Sequence, residues 1–197
     1  ITVVPMDFSD CKVTSPEPDA DWERAIAKGG RGVGLSSEMP GFEDSLTPDQ
    51  ISGFVAHMRG ICKDTGWPSG NTNFPRPILT EKAFPENEFL ILPAINHTTK
   101  RLAPSLTDVA VAGVYERRFG KRSMVEFEVP VVSADRSAFR VSGIGDVAVA
   151  FKHAIYSRAA TPRIVSLGLE TVLPTGNHDQ GLGQGTAIFE PFITAGA

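Results

Sequence analysis

MVEFEVPVV, residues 124–132, alternates apolar and polar side chains with a period of two. Val125, Phe127, Val129 and Val131 fall on one face of an extended chain, and Glu126 and Glu128 fall on the other. Successive side chains of a β-strand point to opposite sides, so this alternation predicts a strand with two unlike faces. The same period recurs on either side. Val147, Val149 and Phe151 oppose Ala148, Ala150 and Lys152. Val165, Leu167, Leu169 and Leu173 oppose Ser166, Gly168 and Glu170. Strands are therefore expected at 89–99, 109–119, 124–132, 146–155 and 163–173, with another starting at 186.

These segments run to about ten residues and are separated by Gly, Pro, Asn and Asp clusters. Two architectures share the pattern. A transmembrane barrel uses strands of roughly 9–11 residues with alternate side chains facing lipid and lumen. A soluble sandwich alternates in the same way over strands of about 5–6 residues. Strand length favours the barrel. No apolar run approaches the roughly 20 residues of a spanning helix, so a membrane role calls for strands. Glu126 and Glu128 then read as lumen- or solvent-facing charges.

Ahead of this region the texture differs. Residues 63–88 are rich in Pro, Gly and Asn without a clear period, which predicts a linker or an extended strap. Trp67-Pro68 and Phe74-Pro75-Arg76-Pro77 favour extended or polyproline II backbone. Residues 1–20 carry three prolines and no helical period, and read as an extended segment. A short helix is expected over 21–28, capped by Asp19 or Asp21 and ended by Gly29-Gly30, with Trp22 in its core. A second helix is expected over 48–61. Thr47 and Gln50 have capping-box spacing and Pro48 suits the first helical position. Ile51, Phe54, Val55, Met58 and Cys62 recur along one apolar face, with His57 half-buried beside it.

The order short helix, Gly-containing loop, Met39-Pro40 and capped helix resembles the C-terminal half of a class I c-type cytochrome, over roughly residues 1–66. The resemblance implies haem c as cofactor, with Met39 as an axial ligand to the haem iron. A thioether is a soft ligand, and Met/His ligation raises the reduction potential. Read from the residues alone, Met39 fills a gap under a loop equally well. The family attaches haem through Cys-x-x-Cys-His, and the sequence contains no such motif. The resemblance therefore implies a fragment that begins after that motif. It also implies a Cys11–Cys62 disulfide and an oxidising compartment. The alternative is two unpaired buried thiols.

Ser142-Gly143-Ile144-Gly145-Asp146-Val147, Leu173-Pro174-Thr175-Gly176-Asn177 and Gly181-Leu182-Gly183-Gln184-Gly185-Thr186 carry a second resemblance, to an outer-membrane barrel family linked to transport in phenol-degradation pathways. Tyr115 to Gly120 fits the same family. There Gly-Ile-Gly-Asp marks a tight turn entering a strand, and Leu-Pro-Thr-Gly ends one. The expected fold class is α+β and multidomain. A cytochrome c-like helical part (1–66) and a Pro-rich linker (67–88) precede an antiparallel β-meander or β-barrel (89–197) that is incomplete at its C-terminal end. The expected function is electron transfer at the outer membrane, with an unknown redox protein as partner and a periplasmic or outer-membrane location in a Gram-negative-type bacterium. A passive outer-membrane channel, or a soluble β-domain binding protein with a non-haem helical cap, is the alternative.

Composition bounds these readings. The chain has 197 residues, a formal net charge of -4 and 41% hydrophobic residues, ordinary for a folded protein. An acidic balance without a basic stripe argues against a nucleic-acid partner. His57, His97, His153 and His178 are scattered and show no metal-ligand spacing. No nucleophile–base arrangement or nucleotide loop is recognisable, and the Gly181–Gly185 run lacks the Lys-Ser/Thr ending of a phosphate loop. An enzyme is not expected.

Overall fold

A computed structural model of the chain describes residues 5–73, 81–100, 103–135, 139–159 and 161–197. Phe74 to Pro77, expected to be extended, lie outside the described residues. The chain divides into two compact units: Ile1–Phe84 with Ala154–Ser166 and Thr194–Ala197, and Pro85–His153 with Leu167–Ile193.

Among the described residues the first unit has the α-helices α1 (Cys11–Thr14), α2 (Asp19–Gly32) and α3 (Pro48–Arg59). The α3 start forms as its sequence dictates, with Thr47 and Gln50 making both bonds of a capping box. Ile51 and Val55 are buried on its inner face, whereas Phe54 is exposed and Met58 half-buried. His57, expected to be half-buried, is exposed. The α2 start differs from expectation. Pro18 is the N-cap residue, with no side-chain cap bond. The Asp19 carboxylate instead accepts from Arg59 Nε at 2.7 Å and Asn71 Nδ2 at 2.8 Å. A partner forty residues away outcompetes the local cap.

Arg59 fixes the end of α3 in place. Its guanidinium lies 4.2 Å from the Trp22 ring centroid and donates to the carbonyls of Thr14 and Glu17. Trp22 is buried, with Phe8 edge-on at 5.6 Å. Cys11 and Cys62 form a disulfide across a Cα–Cα distance of 5.3 Å. Of the two expectations for these cysteines, the paired one holds. Residues 11–14, expected to be extended, instead form the single turn α1, capped by the Asp10 side chain.

The strands are β1 (Glu88–Lys100), β2 (Ala103–Phe119), β3 (Ser123–Asp135), β4 (Arg140–Ile144), β5 (Val147–Arg158), β6 (Arg163–Leu173) and β7 (Ile188–Gly196). They form one sheet in the order β1-β2-β3-β5-β6-β7, with β4 also paired to β3. The pairings of β1 with β2 and of β3 with β2, β4 and β5 are antiparallel. β2 has 17 residues, β1 and β3 have 13 each, and β5 has 12, all well beyond the usual 5–6.

β4 and β5 share one partner. Val131 pairs with Ile144 and Glu128 with Ala148, so residues 129–130 lie opposite residues 145–147. One extra residue in one strand is a β-bulge. Gly-Ile-Gly-Asp, expected as a tight turn entering a strand, does lead into β5, but as a bulge: Gly143 and Ile144 end β4, and Gly145 and Asp146 lie between the two strands. The extra residue also exchanges the faces. Ser142 and Ile144 are exposed before the bulge, and Phe151, His153 and Ile155 after it.

Candidate membrane-facing surface and its covered counterpart

The exposed side of the sheet is mostly apolar, with Arg117, Ser142 and His153 as polar exceptions. Phe89, Ile91 and Ile95 on β1, Val111 and Tyr115 on β2, and Phe127, Val129 and Val131 on β3 are all exposed. So are Phe151 and Ile155 on β5, Leu167, Leu169 and Leu173 on β6, and Phe189 and Ile193 on β7. Register puts these residues in rows. Phe89 pairs with Tyr115 and Tyr115 with Phe127, an aromatic row across three strands. Phe119 and Phe151 add a ring pair at 5.9 Å beyond it. Arg117, exposed on the same side, pairs with Val125 in the row between. Aliphatic Val129, Val131, Val111 and Ile91 continue the face from the aromatic row.

On β2, β3 and β5 the opposite side is covered and carries charge, whereas on β1 Leu92, Ala94 and Asn96 of that side are exposed. Glu116 and Lys152 are each 1% exposed, and Glu126 and Arg118 are buried with them. These charges also fall in rows. Glu88 pairs with Glu116 and Glu116 with Glu126. One row on, Arg118 pairs with Met124 and Met124 with Lys152. An acidic row therefore lies beside a basic one, the order that lets buried charges offset one another. Ala150 pairs with Glu126 in the acidic row, and Ala112 and Ala148 are also small and buried on this side. The carboxylates of Glu86, Glu88 and Glu116 approach within 4.8 Å of one another, close enough to share a cation.

The arrangement inverts that of a water-soluble sheet, which buries its apolar side and wets its charged one. Apolar side chains outside and polar ones inside is the order a hydrocarbon solvent selects. Among the described residues no helix is long and apolar enough to cross a membrane.

The two glycine-rich motifs meet at the bulge. Asp146 accepts from Gly176 N at 2.9 Å and from Gln184 N at 2.6 Å. The Thr175 hydroxyl donates to the Gly145 carbonyl at 3.0 Å and accepts from Val147 N at 2.9 Å. Leu-Pro-Thr-Gly thereby satisfies backbone groups that the bulge takes out of the ladder. Leu182 is buried with its Cδ1 2.9 Å from where a Cβ on Gly143 would sit, so a side chain at 143 would have to displace it. The 174–187 loop is thus held over the covered side of β3 and β4. The Gly181–Gly185 run serves this packing.

Met39 lies on the loop after α2. Gly30 N donates to the Met39 carbonyl at 3.0 Å, and Phe42 N to Ala27 O at 3.0 Å. Gly29 has φ 71°, and a Cβ there would sit 2.7 Å from the Met39 carbonyl oxygen, so the loop closes on α2 only through glycine. The Met39 side chain is 40% exposed. As a haem site the donor set is short. Both cysteines are bonded to each other, so neither offers a thioether link, and Met39 brings one sulfur. The residues present do not by themselves fit a covalently held haem.

No protein-family model matches the chain, and no curated protein is significantly similar to it.

Sequence reasoning placed Lys152 on the side opposite the apolar residues of β5 but drew nothing from it. It left out Arg118, which alternation through Glu116 would have shown. Nothing local marks Arg59 or Asp146, because their partners lie 40 and 30–38 positions away.

Proposed function

We propose that the sheet is the wall of an outer-membrane β-structure, with its apolar side against lipid and its charged side lining a polar interior that passes or excludes small solutes. One observation carries the reading: on strands of 12–17 residues Glu116, Arg118, Glu126 and Lys152 are covered while aliphatic and aromatic side chains are exposed. The aromatic row with Arg117 beside it is the composition expected where hydrocarbon meets headgroups. A disulfide suits an oxidising compartment outside the cytoplasm. The disulfide-stapled helical unit, whose surface carries Lys28 paired to Glu43 at 2.5 Å and Arg24 to Asp21 at 3.3 Å, belongs in water. The test is membrane fractionation. The expressed protein should stay with the outer-membrane pellet after alkaline carbonate and need detergent for extraction. Recovery in the soluble periplasmic extract would contradict the reading.

Electron transfer is the second reading, supported by the exposed Met39 thioether on a loop tied back to α2. It requires a Cys-x-x-Cys-His motif elsewhere on the same polypeptide, to supply the two thioether links and the proximal ligand. A purified protein without a Soret band, from cells able to attach haem c, would exclude it.

A further inference from the structure

Arg117-Arg118-Phe119-Gly120-Lys121-Arg122 puts four basic residues into six positions of a chain whose net charge is -4. The run closes the β2–β3 hairpin, where Phe119 pairs with Ser123 and Gly120 turns the chain at φ 61°. Every residue of the hairpin belongs to the second unit. Arg118 is buried on the covered side, whereas Arg117 and Lys121 are exposed. On the exposed face of β2, Arg117 stands between Tyr115 and Phe119, two residues from each. Its row runs on through Val125 of β3 to Phe151 of β5, and the row beyond through Phe119, Ser123 and His153. The Phe119 and Phe151 rings meet at 5.9 Å, and His153 Nδ1 lies 2.8 Å from the Ser123 hydroxyl. Among the described residues no hydrogen bond or ion pair occupies the Arg117 side chain. Near the far end of β3, by contrast, Arg140 is paired with Asp135 at 2.9 Å.

Depth decides the partner. Val125 lies four residues from Val129, about 13 Å along the strand and about 10 Å in height at a tilt near 40°. Half of a hydrocarbon band of about 25 Å is about 12 Å, so the Arg117 row stands just inside the edge of that band. An arginine there carries its charge outward along its own stem to the headgroup layer. The group it meets is a lipid phosphate, whose oxygens match the guanidinium fork. Resting on the membrane reading above, we propose that the β2–β3 hairpin anchors an anionic lipid: Arg117, flanked by Tyr115 and Phe119, holds the headgroup phosphate of a membrane lipid with net negative charge. The two rings lie against the glycerol and the upper acyl chain. A zwitterionic headgroup brings its own ammonium to this basic hairpin and gains less.

The experiment uses the full chain in vesicles of equimolar phosphatidylcholine and phosphatidylglycerol with identical acyl chains. Protein that floats with the vesicles is released into mild detergent. Native mass spectrometry then compares the first retained phosphatidylglycerol with the first retained phosphatidylcholine. Wild type should prefer phosphatidylglycerol about fivefold, the worth of one basic side chain at a membrane surface. Arg117→Gln should fall to within about twofold of no preference, Arg117→Lys should keep most of it, and Arg140→Gln should match wild type. Wild-type preference in Arg117→Gln overturns the anchor, as does an equal loss in Arg140→Gln or a wild type without preference. Inorganic phosphate that strips the lipid beyond sodium chloride of equal ionic strength assigns the site to free phosphate and overturns the lipid. If Arg117→Gln does not fold, wild type decides: its preference must shrink as salt rises, and a preference indifferent to salt overturns the anchor. Protein that fails to float with the vesicles overturns the membrane reading itself, a result separate from any lipid preference.

Discussion

Val129→Arg is the sharpest stability test of the exposed face. β3 has 13 residues and Val129 is its midpoint. At about 3.3 Å per residue the strand is roughly 43 Å long, and at a tilt near 40° it rises about 33 Å, enough for a hydrocarbon band of about 25 Å. Val129 then lies close to the bilayer midplane, where an arginine on the lipid face costs about 2–4 kcal/mol. That is a roughly 30- to 700-fold loss in the folded-to-unfolded ratio. Val125→Arg stands four residues nearer the end, in the row that already carries Arg117, and should cost about 0–1 kcal/mol. In water the order disappears, because exposed-surface changes stay within about 0.5 kcal/mol at either site. Guanidinium titration in lipid vesicles, followed by the far-ultraviolet β-signal, measures both. Equal costs at 125 and 129, or none at 129, would refute the argument that lipid covers this face.

Other consequences are more local. Removing the disulfide by Cys11→Ser with Cys62→Ser releases a loop spanning a separation of 51, worth about 4 kcal/mol in the chain-entropy model. The helical unit should lose near-ultraviolet circular dichroism while the β-signal stays. Asp146→Ala removes the acceptor for two backbone N–H groups and should cost about 1.5–3 kcal/mol. Hydrogen exchange at Gly176 and Gln184 should accelerate far more than exchange in mid-β3. Arg59→Lys should not restore what Arg59→Ala loses, since an ammonium cannot span the Asp19 carboxylate and two carbonyls while stacking on Trp22. Thermal melting of the helical unit checks it. Thr47→Ala should cost about 1 kcal/mol through the lost cap.

What could be read from the residues was whatever repeats or acts nearby. β3 and β6 announce themselves by period two, and the α3 start by Thr47-Pro48-Asp49-Gln50, because strands and caps are set by neighbours a few positions apart. The bulge at Gly145-Asp146 was hidden. Its composition suits a turn equally, and only the exchange of faces between Ile144 and Phe151 reveals it. Ala83–Glu86 looked like linker because it has no period. Its burial comes from Ala154, Ile164 and Met124, far along the chain. Asp19 was read as a cap for the same reason: nothing nearby points to Arg59. Met39 was legible as a possible ligand, but sequence cannot distinguish a sulfur aimed at iron from one resting on a surface. The charged side of the sheet was half legible. Alternation separates Glu126 from Phe127, yet does not say which of the two sides is covered.

The most direct measurement is a nitroxide scan of β3 in bilayers, one cysteine at a time from Val125→Cys to Val131→Cys. The account predicts that labels at 125, 127, 129 and 131 collide with oxygen and not with an aqueous nickel reagent, most strongly at 129, while labels at 126 and 128 collide with neither. Labels at the odd positions that meet the nickel reagent freely would contradict it.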